Sequence, residues 1–173
     1  MDKIFYAQKY EYPCSETAVL KILHEYFKLD EVSVKRTKNG KPYVDVRPSL
    51  HFSVSHTDTM LFIAFSDQEI GIDAEHNARQ VNYLPILKKL PSIERENIRT
   101  QQDFLQLWTA KESVVKYLGE CLSKGLKEIE LQTDGIDYKG KRLPCRLTQL
   151  TLAEHVISVC SEKDCLNVEF IKI

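Results

Sequence analysis

Three acidic side chains are spaced so that they could hold one divalent cation, and two of them are close neighbours in the chain. Asp73 and Glu75 lie two residues apart in the segment "GIDAE", and on a β-strand this spacing sends both side chains to the same face. Carboxylates held side by side repel each other, and a bound cation relieves the repulsion. Oxygen ligands without a nearby pair of Cys or His residues favour Mg²⁺ or Mn²⁺ over zinc. Taken alone, the pair is also typical of a strand end whose acids face solvent.

The third acid, Glu112, lies in the segment "FLQLWTAKESVVKYLGECLS", residues 104–123. The apolar residues of this segment recur with the period of a helix, and Glu112 falls at the edge of the resulting apolar stripe. Lys116, one turn later, could pair with Glu112 on the surface, whereas Lys111 falls inside the apolar arc and has no such explanation. We interpret Glu112 as a metal ligand, a base or both, with the Glu112–Lys116 surface pair as the alternative.

A strand end and a basic turn supply groups that could bind a phosphate monoester. Ser55 and His56 end the predicted strand "HFSVSHT", and Lys41 lies in the turn "KNGKPY", which could pair beside it. A single histidine at a strand end is more often structural than functional, and lysines on a turn are usually solvated. Together, the hydroxyl, the imidazole and the ammonium group match what a phosphate requires.

The elements that must position these groups are strands and helices in alternation. Apolar alternation predicts strands at "KIFYAQ" and on both sides of the Asn39–Gly40 turn. It also predicts three strands that form a compact sheet in the middle of the chain, at "LHFSVSHT", "MLFIAFS" and "EIGIDAE". A helical period between the first strand and the turn predicts a helix capped by Ser15.

The second part of the chain repeats this alternation. Pro85 and Pro91 interrupt a helical pattern in residues 81–99, which predicts two short helices there. The long helix that carries the third acid follows, and we expect it to end near Gly119 and Gly125. Strands are predicted to close the chain at "LKEIELQT", "KRLPCRL", "EHVISVC" and "LNVEFIKI". Two rounds of strands and helices indicate an α+β chain of two similar halves.

The composition restricts the class of protein. With 173 residues, 43% of them hydrophobic, the chain is long enough to bury the core of one domain. Its 24 Lys and Arg against 25 Asp and Glu give a net charge of −1, so we expect neither nucleic acid nor a membrane as a partner. The five cysteines form no C-x-x-C pair and indicate reduced thiols. We therefore expect a cytoplasmic protein, and we expect it to be a monomer.

Four motifs occur along the chain in the order "GKPYV", "HFSVSHT", "IGIDAE" and "WTAKESVVKYLG". This series resembles that of the 4′-phosphopantetheinyl transferases, specifically the longer single-chain type that activates peptide and polyketide synthetases. The resemblance covers roughly residues 40–125 and implies the α+β fold of that family, a pseudo-dimer of two similar halves. On this basis we assign residues 1–68 and 69–173 to the two halves of a single domain.

The resemblance also implies roles for the acids and for two lysines. Asp73, Glu75 and Glu112 match the family's metal-binding acids, which hold Mg²⁺, with Mn²⁺ as an alternative, against the pyrophosphate of coenzyme A. Glu112 also matches the base that takes the proton from a carrier-protein serine. Lys116 matches the lysine beside the leaving phosphate, and Lys111 matches another lysine near the pyrophosphate.

At the other end of coenzyme A, the resemblance assigns contacts with the 3′-phosphate and the adenosine to Lys41, Ser55 and His56. The chain departs from the family pattern in this region. In "AQKYEYPCSET", where the family places a basic cluster, Lys9 is the only cation. In addition, Cys121 stands where the family commonly has the second glycine of a G-x-G-L loop. The match is therefore closer at the metal centre than at the coenzyme end.

The reaction implied by the resemblance is the transfer of 4′-phosphopantetheine from coenzyme A to a serine of an apo acyl, peptidyl or polyketide carrier protein, with release of 3′,5′-ADP. Two alternatives remain. A catalytically weak or inactive protein of this fold could bind a carrier protein or coenzyme A. An unrelated Mg²⁺-dependent phosphotransferase or hydrolase could carry the motifs by chance, and formation of 3′,5′-ADP would exclude it.

Overall fold

The computed structural model describes residues 2–88, 90–121, 126–163 and 168–173. Within these ranges the strands are β1 (Lys3–Gln8), β2 (Lys35–Arg36), β3 (Pro42–Tyr43), β4 (His51–His56), β5 (Met60–Ser66), β6 (Ile70–His76), β7 (Ile129–Gln132), β8 (Gly135–Tyr138), β9 (Lys141–Arg142), β10 (Arg146–Leu152), β11 (His155–Ser161) and β12 (Glu169–Lys172). The helices are α1 (Ser15–Glu25), α2 (Leu84–Leu87), α3 (Ser92–Arg95) and α4 (Gln101–Leu118). This mixture confirms the predicted α+β class. None of the described helices is both long and apolar enough to span a membrane.

The first sheet has the strand order β12–β1–β5–β4, in which β1 and β12 are parallel and the other pairs are antiparallel. Helix α1 covers one face of this sheet because its apolar residues recur every three or four positions and share one side. The resulting cluster includes Phe5, Ala18, Val19, Ile22, Leu23, Ile63 and Phe65.

The second sheet has the order β10–β11–β6, with antiparallel pairs, and α4 packs against it through residues such as Val114 and Val115. The two sheets share one connectivity. In the first sheet, β1 is followed by α1 and then by the paired strands β4 and β5, and β5 also pairs with β1. In the second sheet, β6 is followed by α4 and then by the paired strands β10 and β11, and β11 also pairs with β6. The shared connectivity supports the interpretation of two similar halves, whose pseudo-dimer relationship and boundaries stay predictions. The last strand, β12, returns to the first sheet.

The two sheets meet where β4 lies beside β6. The Ile72 amide donates to Ser53 Oγ at 3.1 Å, and the Ala74 amide donates to Ser55 Oγ at 3.1 Å. The expectation that the three central strands form one sheet is therefore wrong. Strands β4 and β5 pair with each other, whereas β6 pairs with β11 and reaches β4 through serine hydroxyl groups. These side-chain bridges bring the predicted phosphate-binding strand next to the predicted metal-binding strand.

Both ends of α4 are fixed by local sequence. At its start, Thr100 Oγ1 accepts from the Asp103 amide at 3.1 Å, and Asp103 Oδ2 accepts from the Thr100 amide at 2.8 Å. Such a capping box contributes about 1 kcal/mol to helix stability. The helix ends at Leu118, next to Gly119 as predicted, and Gly119 adopts the left-handed conformation with φ 64°. The second predicted stop, Gly125, lies outside the described residues.

Other local predictions have mixed outcomes. The hairpin around Asn39–Gly40 and the two short helices are confirmed. The cap at Ser15 is wrong, because Ser15 is already the first helical residue and Cys14 occupies the cap position without a side-chain cap bond. The predicted strand "KRLPCRL" is divided at Pro144 into β9 and β10, since proline cannot donate to a strand ladder. Strand β8 was not predicted.

Candidate active site

Asp73 lies at the centre of a polar cluster on β6. Its Oδ1 accepts hydrogen bonds from Ser55 Oγ at 2.9 Å and from Lys116 Nζ at 2.7 Å. Lys116 also donates to Val54 O at 3.2 Å, so its ammonium group is held between α4 and β4. The second oxygen of Asp73, Oδ2, is buried and has no hydrogen-bond partner among the described residues. A buried carboxylate oxygen left unpaired is costly, so Asp73 has capacity for one further ligand.

Glu75 lies two residues along the same strand and is 8% exposed, while Asp73 is 5% exposed. The solvent-facing alternative for this pair is therefore wrong. The Oε1 atom of Glu75 is paired with the guanidinium of Arg79. Burial raises the pKa of Glu75, the Arg79 guanidinium opposes this rise, and the charge of Asp73 adds to it.

Glu112 interacts with the same cluster from α4. Burial raises its pKa from an ordinary 4.5 to about 7, and the charges of Asp73 and Glu75 add to the rise, while Lys116 and Arg79 oppose it. Carboxylates influence one another in this way when they lie close together. The simple surface pair of Glu112 and Lys116 is not what forms, because the Lys116 ammonium group makes its hydrogen bonds with Asp73 and a β4 carbonyl.

Two pockets open beside this cluster. The first, called here the hairpin pocket, has a volume of about 320 Å³ and lies between the β2–β3 hairpin, α1, β4 and the end of α4. The second, the arginine pocket, has a volume of about 620 Å³ and is lined in part by Glu75 and Arg79. His56 lines both pockets, and Lys116 lines the hairpin pocket. The acidic cluster, as we call Asp73, Glu75 and Glu112, therefore adjoins the hairpin pocket through Lys116, which binds Asp73, and the arginine pocket through Glu75.

The structure separates the three predicted coenzyme contacts. His56 is exposed and lines the hairpin pocket. Ser55 is buried, and its hydroxyl group is used by the acidic cluster and by a β6 amide, which gives it a positioning role. Lys41 also lines the hairpin pocket, but its ammonium group is bound to the end of α4. Of the three, His56 alone presents to this pocket a polar side chain that makes no hydrogen bond within the part of the chain that the structure describes.

A model of the 4′-phosphopantetheinyl transferase superfamily matches residues 69–160, a range that contains the three acids and Lys116 and exceeds half of the chain. The chain belongs to the 4′-phosphopantetheinyl transferase superfamily.

Bacterial members of this superfamily are similar to the chain over most of its length. The 4′-phosphopantetheinyl transferase psf-1 of Bacillus pumilus is 26% identical over 162 residues, which are 86% of this chain and 69% of the relative. A 4′-phosphopantetheinyl transferase of Bacillus subtilis is 30% identical over 135 residues, 70% of this chain and 59% of the relative. The transferase Sfp of Bacillus subtilis strain 168 is 28% identical over 144 residues, 75% and 63% respectively. The chain thus spans between 59% and 69% of the length of these three relatives.

The chemistry of the acidic cluster fits a hard divalent cation. Among the described residues, no group of three or more His, Cys, Asp or Glu side chains is arranged to coordinate a metal; Lys116 and Arg79 pair with Asp73 and Glu75 instead. The donor atoms are nonetheless carboxylate oxygens, which Mg²⁺ prefers, and Asp73 Oδ2 lacks a hydrogen-bond partner among the described residues. A cation would have to share or displace the two existing pairs.

Lys111 does not join the acidic cluster. Its side chain is 1% exposed, and Nζ donates to Leu126 O at 3.0 Å and to Ile129 O at 2.7 Å. Nζ also lies 2.6 Å from Glu94 Oε2, an ion-pair contact without hydrogen-bond alignment, while Glu94 Oε1 accepts from the Leu131 amide at 3.3 Å. Burial lowers the pKa of Lys111, and the Glu94 carboxylate opposes that effect. Because these contacts tie α4 to α3 and β7, the structure does not support the predicted contact with the pyrophosphate.

Lys111→Met is expected to lower the free energy of unfolding by about 3 kcal/mol or more, because the Glu94 carboxylate would remain buried without its cation. In the double variant with Glu94→Gln, the neutral amide should recover at least about 1 kcal/mol of this loss. Urea unfolding of the wild type, both single variants and the double variant measures the coupling. Strictly additive losses would contradict a buried ion pair.

Sequence reasoning missed three polar residues that the structure places around α4 and the acids. Arg79 follows Glu75 by four residues, a spacing that signals a pair in helices, but here it spans the end of β6 and the following turn. Glu94 lies in the second of the two short helices, and the helical pattern there did not single it out as a buried acid. Asn39 was recognised as a turn residue, and its contact with α4 has no signal in the local sequence.

Proposed function

We propose that this chain transfers 4′-phosphopantetheine from coenzyme A to a serine of an apo acyl, peptidyl or polyketide carrier protein and releases 3′,5′-ADP. The observation that carries the proposal is the pairing of Lys116, which lines the hairpin pocket, with the buried Asp73, beside Glu75 and near enough to Glu112 for the charges of both acids to raise the pKa of Glu112. The psf-1 and Sfp relatives, which are named 4′-phosphopantetheinyl transferases, support the same reaction.

The hairpin pocket suits the adenosine and 3′-phosphate end of coenzyme A. Val19 and Phe52 give it an apolar floor for a base, and His56 and Arg36 supply polar and cationic groups for a phosphate. Lys116 lies at the side of the pocket that adjoins the acids. With the adenosine end of coenzyme A bound in this pocket, the pyrophosphate would therefore extend out of the pocket along the acidic cluster.

The reaction breaks one phosphoanhydride bond and forms one phosphate ester bond. The serine oxygen attacks the β-phosphorus of coenzyme A, the bond to the α-phosphate oxygen breaks, and Glu112 takes the serine proton directly or through water. Lys116 neutralises the charge that grows on the departing 3′,5′-ADP. Bound Mg²⁺, or Mn²⁺ in its place, would neutralise the pyrophosphate and polarise the reacting phosphate. Asp73, Glu75 and Glu112 would hold this cation.

The experiment that tests the proposal is intact-mass measurement of apo carrier proteins after incubation with this protein, coenzyme A and Mg²⁺. We expect a mass gain equal to one phosphopantetheine on at least one carrier, together with formation of 3′,5′-ADP. A carrier whose acceptor serine is replaced by alanine is the control and should gain nothing. Full activity after exhaustive chelation would contradict the metal requirement.

A protein that binds coenzyme A or a carrier protein with little turnover is the second candidate. It is favoured by the coenzyme end of the site, where Lys41 is engaged elsewhere and Lys9 lines the arginine pocket rather than the hairpin pocket. Calorimetric binding of coenzyme A without any mass gain on the carriers would identify this candidate.

We also propose that the protein works in the cytoplasm as a monomer. The described cysteines, Cys14, Cys121, Cys145 and Cys160, form no disulfide bond with one another, which suits a reducing compartment. Sedimentation of the purified protein would check the monomeric state.

Lys116→Ala is expected to lower kcat by about a hundredfold, because the ammonium group acts on charge that develops in the transition state. The KM for coenzyme A should change by less than about threefold. Steady-state kinetics with varied coenzyme A measure both constants. Lys141→Ala, an exposed lysine on β9 outside both pockets, is the control and should behave as wild type. A raised KM with unchanged kcat would show that Lys116 contributes to binding alone.

A further inference from the structure

The end of α4 receives two hydrogen bonds from the β2–β3 hairpin. The last carbonyl groups of any helix lack partners within the helix and must find them elsewhere. Here Tyr117 O accepts from Lys41 Nζ at 3.0 Å, and Gly119 O accepts from Asn39 Nδ2 at 2.9 Å. Two residues of one hairpin therefore satisfy carbonyl groups at the C-terminal end of one helix.

Lys41 is built into this contact rather than extended into solvent. Its side chain is 14% exposed, and its Nζ also lies 2.5 Å from Glu69 Oε2. A Cβ atom added at Gly119 would lie 3.3 Å from Lys41 Cδ, so the lysine stem lies across the helix end. The positive charge at this position is favourable because the C-terminal end of a helix carries a partial negative charge.

The same helix end carries Lys116, the proposed catalytic lysine. Lys116 lies in the last turn of α4, one residue before Tyr117, whose carbonyl group Lys41 binds. From there it reaches Asp73 Oδ1 at 2.7 Å and Val54 O at 3.2 Å. Helix ends fray when their carbonyl groups lose their partners, so an unbound α4 end would displace the Lys116 ammonium group.

We infer that Lys41 and Asn39 form a latch that fastens the β2–β3 hairpin to α4, and that Lys41 is a positioning residue for Lys116 rather than a ligand of the coenzyme 3′-phosphate. The latch closes one wall of the hairpin pocket, which Asn39, Gly40 and Lys41 line together with Lys116. The kinetic consequence rests on the proposed transferase function; the latch itself does not.

The two roles for Lys41 predict different behaviour with coenzyme A and 3′-dephospho-coenzyme A. Lys41→Met keeps the apolar stem against Gly119 and removes the ammonium group. If Lys41 acts through α4, the variant should lose about tenfold in kcat/KM with both substrates and keep the wild-type preference between them within about twofold. Asn39→Ala, which removes the other half of the latch, should lose about threefold with both.

Amide hydrogen exchange tests whether the latch forms, and it does not depend on turnover of coenzyme A. The amides of Gly119 and Glu120 donate to Lys116 O at 3.2 Å and to Val115 O at 3.1 Å, so they report on the last turn of α4. Both Lys41→Met and Asn39→Ala should speed their exchange by at least about threefold. Lys38→Ala is the matched control, since Lys38 is an exposed lysine of the same hairpin that does not line the hairpin pocket.

The inference requires two results: an unchanged preference for coenzyme A in Lys41→Met, and faster exchange at Gly119 and Glu120 in both latch variants. If Lys41→Met removes the preference for coenzyme A and leaves the kinetics with 3′-dephospho-coenzyme A unchanged, Lys41 binds the 3′-phosphate and the inference is overturned. Unchanged exchange at Gly119 and Glu120 in both variants would also overturn it. If the wild type forms no holo carrier protein, the proposed function fails, and faster exchange in both variants would still establish the latch.

Discussion

Glu112→Gln is expected to reduce transfer by at least about a hundredfold and, at the same time, to stabilise the metal-free protein above pH 7. The loss of activity follows because an amide can neither accept the serine proton nor supply a negative charge to a cation. The gain in stability follows because the wild-type carboxylate lies beside Asp73 and Glu75, whose charges raise its pKa further than burial alone. Function and stability thus oppose each other at this residue.

The pH dependence of the stability difference has a defined sign. The pKa of Glu112 rises from an ordinary 4.5 to about 7 in the folded protein without metal. Between these values the folded state binds more protons at this group than the unfolded state, so the stability of the wild type falls as the pH rises. Glutamine does not titrate. The variant should therefore match the wild type near pH 4 and exceed it by about 1–3 kcal/mol at pH 8.

Urea unfolding in the presence of a chelator at pH 4, 6 and 8 measures this difference. Glu96→Gln, at an exposed position after α3, is the matched control for the loss of one carboxylate, and an exposed substitution of this kind should change the free energy of unfolding by less than about 0.5 kcal/mol. Added Mg²⁺ should stabilise the wild type by mass action and the Glu112 variant much less. A variant that is no more stable than the wild type at pH 8 would contradict the proposed crowding of carboxylates.

Periodicity was sufficient to predict which residues share a face. The alternation of β6 placed Asp73 and Glu75 on one side, and the helical period placed Glu112 at the edge of a buried stripe. Both features depend on residues within one helical turn or two strand positions, so a short stretch of sequence is enough to predict them. The burial of both β6 acids depends on the elements that pack over the strand, and the sequence of the strand itself does not predict which elements these are.

Lys111 and Lys116 show where local reasoning ends. The helical period placed Lys111 inside the apolar arc without explaining it, and its partners Glu94 and Ile129 lie in other elements, 17 and 18 residues away. The i, i+4 rule paired Lys116 with Glu112, whereas the structure pairs it with Asp73, 43 residues earlier. The Lys116 ammonium group pairs with a desolvated carboxylate that lies close to it in space. Buried Asp73 attracts it more strongly than Glu112, its neighbour at the edge of the apolar stripe of α4.

Gly71 carries information that its sequence context did not reveal. A glycine inside a strand pattern indicates either a bulge or a close approach by another part of the backbone, and "IGID" does not distinguish them. In the structure, a Cβ atom at this position would lie 1.9 Å from Ser113 O and 2.5 Å from the Tyr117 amide nitrogen. Helix α4 therefore crosses β6 in contact with its backbone.

Gly71→Ala is expected to lower the free energy of unfolding by about 3 kcal/mol or more, because the methyl group would meet helix backbone that cannot rotate away. For a chain of this size the loss corresponds to a fall in Tm of roughly 6–12 °C.

Gly140→Ala is the matched control. Gly140 has φ 71° and open space around it, so the variant measures the conformational cost of alanine without a collision, about 1 kcal/mol. Calorimetry of the two variants separates these costs, and a Tm for Gly71→Ala within about 2 °C of the wild type would show that α4 can move off β6 freely. Since the 2.7 Å contact between Lys116 and Asp73 spans this same crossing, a helix displaced by the methyl group should also lose transferase activity, whereas the Gly140 variant should retain it.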